Sequence, residues 1–163
     1  MCAIETARGV LAAEEIARMP SVRALAVGGV DLRNDLNIGD GELETVYVRS
    51  HIVVVSTAAM LEPPIDSVYP QLDNEDGLRR EAQFARRLGF FGKSAIHPRQ
   101  IPVLHEVFTP SEEELEWARR VISAFEKSGG AAVQLPDGEF VDLPVEQRAR
   151  RLLELSGAGD RSA

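Results

Sequence analysis

The sequence has almost no cysteine. Cys2 is the only one among 163 residues, so no disulfide can form within the chain. That excludes a disulfide-stapled scaffold and favours a reducing, cytoplasmic setting. Long hydrophobic runs are missing too: the longest unbroken aliphatic stretch, residues 52–55 (Ile-Val-Val-Val), is far short of the ~20 residues that cross a bilayer. The first ten residues carry Glu5 and Arg8 where a secretory leader needs an apolar core. Neither a membrane segment nor a signal peptide is expected. Positive charge is also in deficit, with 18 Lys and Arg against 26 Asp and Glu, a net charge of −8 and a pI of about 4.9. Most of such a surface repels a phosphate backbone, so nucleic acid is not an expected partner.

What remains is an ordinary globular composition, 44% apolar and 27% charged. At roughly 150 residues per domain the chain has the length of one. Strand and helix signals alternate along it. Residues 3–5 are a short apolar stretch ending in Glu5, and 6–18 read as a helix closed by Pro20. Residues 23–30 (Arg-Ala-Leu-Ala-Val-Gly-Gly-Val) have the unalternating apolar pattern of a strand buried on both faces. Residues 31–42, rich in Asp, Asn and Gly, predict a long loop. Residues 44–61 predict a helix and 65–69 a short strand. Asp73 or Asn74 then caps a helix with Leu78, Ala82, Ala85 and Leu88 on one face and Gly89 as its stop. Residues 90–96 predict a strand, with Pro98 opening the next helix. Ser111 and Glu114 form a capping box for a helix carrying Leu115, Ala118, Ile122 and Phe125, ended by Gly129-Gly130. Pro136-Asp137-Gly138 between alternating runs predicts a hairpin over 132–143, and Pro144 starts a last helix.

This alternation argues for an α/β fold with a parallel sheet. Taking strand ends at Glu5, Asp31, Val68 and Ile96 gives steps of 26, 37 and 28 residues. A (β/α)8 barrel uses about 31 residues per unit, but a small doubly wound sheet has similar spacing, so periodicity leaves both open. Glu5 and Asp31 stand where strands run out into loops, the rim at which parallel sheets bind ligands. Two carboxylates there supply hard oxygens suited to Mg²⁺, although spacing alone favours the commoner role of such residues, capping the next helix. His97-Pro98 reaches the same rim and reads either as a ligand contact or as a simple helix start, and Asp142 before Pro144 has the same ambiguity. The glycines of Gly89-Phe-Phe-Gly92-Lys93-Ser94 do not make a phosphate loop, because Arg87 stands where its first glycine belongs. His51 and His105 lack partners at zinc spacing.

Five segments, in order, are similar to the citrate lyase beta subunit group of the HpcH/HpaI aldolase superfamily. They are Ile4-Glu5-Thr6-Ala7-Arg8-Gly9, Gly28-Gly29-Val30-Asp31-Leu32, Pro64-Ile65-Asp66, the stretch 88–98 containing Gly92-Lys93-Ser94-Ala95-Ile96-His97-Pro98, and Asp142-Leu143-Pro144. The resemblance implies the C-terminal half of a (β/α)8 barrel, strands 5 to 8 over residues 1–108. A helix, hairpin and helix lid over 109–155 and a disordered tail over 156–163 would follow. It implies Mg²⁺-dependent cleavage of a (3S)-hydroxyacyl-CoA-type thioester (citryl-, malyl- or citramalyl-CoA) into acetyl-CoA and a keto acid. Carried over residue by residue, Glu5 and Asp31 would ligate Mg²⁺, and Glu5 with the amides of Gly29 and Val30 would contact the substrate. Lys93, Ile96, His97 and Pro98 would lie along coenzyme A. Asp142 would reach a neighbouring subunit's site and exchange a proton with the enolate, which implies a homo-oligomer, commonly a trimer. The family's substrate-gripping arginine has no counterpart among these segments. Two other readings remain: a non-catalytic fragment that binds metal, coenzyme A or a partner chain, and a pyruvate-class aldolase of the same superfamily.

Overall fold

Four short strands, β1 (Cys2–Ile4), β2 (Leu25–Val27), β3 (Ile65–Asp66) and β4 (Gly92–Lys93), form a parallel sheet in the order β1-β2-β3-β4. These come from a computed structural model that describes residues 1–39 and 41–157. The chain divides into two compact units, Met1–Phe108, which holds this sheet, and Thr109–Ala163. The strand order follows the sequence without the reversal that marks a doubly wound sheet. The last strand residues are spaced by 23, 39 and 27, close to the expected steps, although β2, β3 and β4 are shorter than their sequence signals.

Between the strands lie α1 (Ala7–Leu11), α2 (Ala13–Ala17), α3 (Gly29–Leu36), α4 (Glu42–Ala58) and α5 (Glu75–Leu88). A 3-10 turn, Pro98–Gln100, leads from β4 into α6 (Ile101–Phe108). The helix expected over 6–18 is thus broken at Ala12 into α1 and α2. The valine-rich run 52–55 is helical because Val48, Ile52 and Val55 recur at helical spacing and are all buried. Asn74 caps α5 by accepting a hydrogen bond from the Gly77 amide at 2.9 Å, and Gly89 ends it with φ +106°. Ile4, Val27, Leu32, Ile52 and Ala85 belong to the core of this unit.

The expected loop over 31–42 is corrected. Residues up to Leu36 form α3, position 40 lies outside the described residues, and α4 begins at Glu42. Composition misled because polar residues occupy the ends of a short helix: Asp31 lies in its first turn, where a carboxylate favours the dipole, and Asn37 closes it in the left-handed region at φ 53°. Fully buried Leu32 and partly buried Leu36 hold the helix to the core.

In the second unit, α7 (Glu112–Lys127) starts with the expected capping box. The Glu114 amide donates to Ser111 Oγ at 3.2 Å, and the Ser111 amide donates to Glu114 Oε2 at 2.8 Å. The hairpin β5 (Val133–Gln134) and β6 (Phe140–Val141) turns at Gly138 with φ +91° and packs with α7 and α8 (Leu143–Leu155) around Ala118, Val121, Val141 and Ala149. Ser156 caps α8, whereas the tail expectation over 158–163 falls outside the described residues. Among the described residues no helix is long and apolar enough to cross a membrane.

Candidate functional site

The carboxyl ends of β1 and β2 lie side by side, because the two strands pair Ile4 with Val27 and the Gly28 amide donates to the Ile4 carbonyl at 2.9 Å. Glu5 follows Ile4 and is exposed. Its side chain crosses the Gly28 backbone so closely that a Cβ on Gly28 would stand 2.1 Å from Glu5 Cγ and 2.7 Å from Oε1. A side chain at 28 would therefore displace the Glu5 carboxylate from this position. Asp31, two residues past Gly29, is exposed in the first turn of α3. It stands within a helix rather than at a strand end. The Ala7 amide donates to Asp35 Oδ2 at 2.7 Å, which ties the start of α1 to α3 and so holds the two strand-to-helix junctions together.

Among the described residues neither Glu5 nor Asp31 makes a hydrogen bond or an ion pair. No group of three or more His, Cys, Asp or Glu that could hold a metal occurs among the described residues. Two free carboxylates at adjacent junctions match a different chemistry. Mg²⁺ typically takes one or two protein carboxylates and fills its remaining positions with water and substrate oxygens. The donor set fits Mg²⁺.

Of the first-turn amides of α3, that of Gly29 is already used: it donates to the buried Ser67 Oγ at 2.9 Å. The Gly29 amide, expected with that of Val30 to serve a ligand, is thus engaged within the chain, whereas those of Val30 and Asp31 lack a partner among the described residues. The Val30 side chain is 41% exposed.

Lys93 is also placed differently from the expectation. The β3–β4 register sets it beside Asp66 on the face covered by α4 and α5. Its ammonium lies 2.8 Å from Asp66 Oδ2 and 2.6 Å from Glu81 Oε1, with the side chain fully buried. Arg49 of α4 completes a quartet, with Nε 3.1 Å from Asp66 Oδ1 and Nη2 2.8 Å from Glu81 Oε1. The Arg49 Nε and Asp66 Oδ1 contact is ionic only, since neither atom has a hydrogen bond of acceptable geometry. Burial alone would push the Glu81 carboxyl up, but Lys93 and Arg49 outweigh it and hold that group below its ordinary range. Sequence reasoning missed Arg49, Glu81 and Ser67. The available signal for Arg49 was a charge directly after Val48 on the apolar stripe of α4.

The segment after β4 is anchored by buried Gln100, whose Oε1 accepts from the Ile96 amide at 3.0 Å and whose Nε2 donates to the Tyr69 carbonyl at 2.8 Å. Ile96 and Pro98 are left exposed, while His97 Nδ1 accepts from the Arg99 amide at 3.1 Å and so caps the 3-10 turn. In the second unit Asp142 is half-buried and caps α8, its Oδ1 accepting from the Val145 amide at 3.2 Å. Both residues fill the helix-start role that was the plainer of their two readings.

The family described as HpcH/HpaI aldolase/citrate lyase matches residues 1–98. Among curated proteins, the chain is 38% identical over 164 residues to the citrate lyase subunit beta of Leuconostoc mesenteroides subsp. cremoris, covering 97% of this chain and 54% of that protein. It is 35% identical over 137 residues to the mitochondrial citramalyl-CoA lyase of Rattus norvegicus, covering 82% of this chain and 40% of that protein. Among solved structures it is similar to the protein CitE of Mycobacterium tuberculosis in complex with magnesium, acetoacetate and coenzyme A. The TM-score there is 0.81 at 33% identity, over 95% of this chain and 60% of that one. The chain thus spans about half the length of the curated relatives it matches. With a matching segment that holds Glu5, Gly28, Gly29, Asp31 and Lys93, the chain belongs to the HpcH/HpaI aldolase/citrate lyase family.

Proposed function

We propose that the chain carries the metal-binding part of a Mg²⁺-dependent carbon–carbon lyase acting on a (3S)-hydroxyacyl-CoA-type thioester, such as citryl-, malyl- or citramalyl-CoA, as the C-terminal half of a (β/α)8 barrel. The observation that carries this reading is the pair of unpartnered carboxylates, Glu5 and Asp31, at the adjoining ends of two parallel strands. Barrel enzymes keep their chemistry at that end of the sheet, and the reversal-free strand order agrees with one sector of a barrel. The Mycobacterium tuberculosis relative, solved with magnesium and coenzyme A, supports the same ligands here.

In this reading Glu5 and Asp31 would hold Mg²⁺, and the ion would supply Lewis-acid stabilisation of the negative charge that builds on the keto acid's oxygens. The amides of Val30 and Asp31 take the acid's carboxylate at the positive end of α3. In the cleavage direction the 3-hydroxyl would give up its proton to solvent water and become the keto carbonyl. The electron pair of the broken carbon–carbon bond passes to the thioester as an enolate, which takes up a proton at carbon to become acetyl-CoA. Asp142, contributed by a neighbouring subunit of a homo-oligomer such as a trimer, exchanges that proton. Exposed Ile96 and Pro98, with His97, line the path of coenzyme A. Lys93 supports that segment from beneath through its ion pairs.

The test is Mn²⁺ binding to the 163-residue chain, followed by electron paramagnetic resonance. Glu5→Gln is expected to lose at least about ten-fold in affinity, while stability stays within about 0.5 kcal/mol, as for an exposed side chain without partners. Metal binding indifferent to Glu5 would overturn the reading. Incubated with malyl- or citramalyl-CoA and Mg²⁺, the chain alone is expected to release no acetyl-CoA. Turnover abolished by Glu5→Gln would instead make it a complete lyase.

A further inference from the structure

We infer that Ser67 is a positioning residue for the metal-binding rim. This rests on the Glu5–Asp31 reading and extends it to a residue that touches neither metal nor substrate. α3 starts without a cap of its own: Gly28 occupies the N-cap position and has no side chain to accept from the first-turn amides. The missing acceptor comes from the adjacent strand. Ser67, directly after β3 and 1% exposed, accepts the Gly29 amide at 2.9 Å, a buried hydrogen bond spanning 38 residues of sequence.

The approach is built for that bond. A Cβ on Gly29 would stand 2.6 Å from Ser67 Oγ and 2.9 Å from its Cβ, so only glycine lets the backbone come this near. Asp31 follows two residues later, and the free Val30 and Asp31 amides lie in the same turn. Fixing Gly29 therefore fixes the direction in which the carboxylate and both amides leave the sheet. The Gly28 amide, held by the Ile4 carbonyl at 2.9 Å, fixes the preceding peptide. The carboxylate pair is thus set from both sides, by β1 through Gly28 and by β3 through Ser67.

The experiment compares Ser67→Ala, Ser67→Thr and Ser67→Cys in the 163-residue chain, reading Mn²⁺ affinity by electron paramagnetic resonance and hydrogen exchange of the Gly29 amide by NMR. Ser67→Ala is expected to weaken Mn²⁺ binding roughly ten-fold, the lower end for loss of a supporting partner, and to expose the Gly29 amide to exchange. Ser67→Thr, which restores the hydroxyl, is expected to restore both. Ser67→Cys keeps the shape with a poor acceptor and is expected to behave like Ser67→Ala, which covers the case in which Ser67→Ala fails to fold. Unchanged Mn²⁺ affinity in the alanine and cysteine variants, with Glu5→Gln still abolishing binding, would overturn this inference alone. Wild-type chain that binds no Mn²⁺, or binds it without Glu5, would overturn the function reading and this inference with it.

Discussion

Two regions of the same sheet handle carboxylates in opposite ways. On the face covered by α4 and α5, Asp66 and Glu81 are matched by Arg49 and Lys93, two negative groups against two positive ones, and are withdrawn from water. At the ends of β1 and β2, Glu5 and Asp31 are exposed and matched by nothing among the described residues. Buried charge persists only when paired, whereas an exposed carboxylate without a partner costs the fold little and is free to meet a cation. Lys93 belongs to the first kind, although the family resemblance carried an expectation that it lies along coenzyme A.

The sharpest way to break the comparison is to unbalance the closed side. Lys93→Met keeps most of the side-chain volume but leaves Asp66 and Glu81 sharing one guanidinium. The expected loss is about 3–5 kcal/mol, as for other buried pairs stripped of one partner, measured by urea unfolding. Adding Asp66→Asn restores one charge of each sign, Arg49 with Glu81, and is expected to return part of that loss. If Lys93→Met unfolds at the wild-type urea concentration, the quartet is not holding the sheet to its helices, and the Lys93 ammonium is free for a ligand after all.

A smaller effect is expected from acid. The Glu81 carboxyl is held below its ordinary value, so its contribution is fully present above the unfolded-state value of about 4.3 and is lost as pH falls through the lower, folded-state value. Glu81→Gln is expected to cost roughly 1.5–3 kcal/mol at neutral pH, the range for a charge-assisted hydrogen bond. The difference between variant and wild type is then expected to shrink as the solution is taken below about pH 4, and the melting temperature followed against pH reads it directly. A difference that stays constant across that range would mean that Glu81 is not stabilised as an anion.

The two regions also differed in how far the sequence exposed them. Glu5 was legible because a carboxylate directly after a short apolar stretch is itself a strand-end signal. The capping box at Ser111 and the stripe on α5 were legible for the same reason, being local patterns within one element. The quartet was not, since its members come from α4, β3, α5 and β4, and only the β3–β4 register and the packing of two helices bring them together. Ser67 was hidden likewise, its partner being 38 residues away. α3 was misread because its polar ends dominate its composition while its hold on the core comes from Leu32 and Leu36.

A small effect on stability is expected where the open side is disturbed by a single methyl group. Gly28 has φ −90° and ψ 70°, the inverse γ-turn region that is open to L-residues, so Gly28→Ala does not demand a left-handed backbone. What it does impose is a Cβ 2.1 Å from Glu5 Cγ, far inside contact distance, and Glu5 must swing away because its side chain is exposed and nothing holds it. Stability is expected to change by no more than about 1 kcal/mol, since an exposed side chain relaxes freely. Mn²⁺ affinity, by contrast, is expected to fall by roughly ten-fold because the Glu5 carboxylate is displaced from its place over Gly28. A small change in melting temperature beside a large change in metal binding is the signature of a residue that shapes the rim without supporting the fold. A variant in which metal binding survives the methyl group would show that Glu5 does not need its position over Gly28, and the two regions would then differ in exposure but not in purpose.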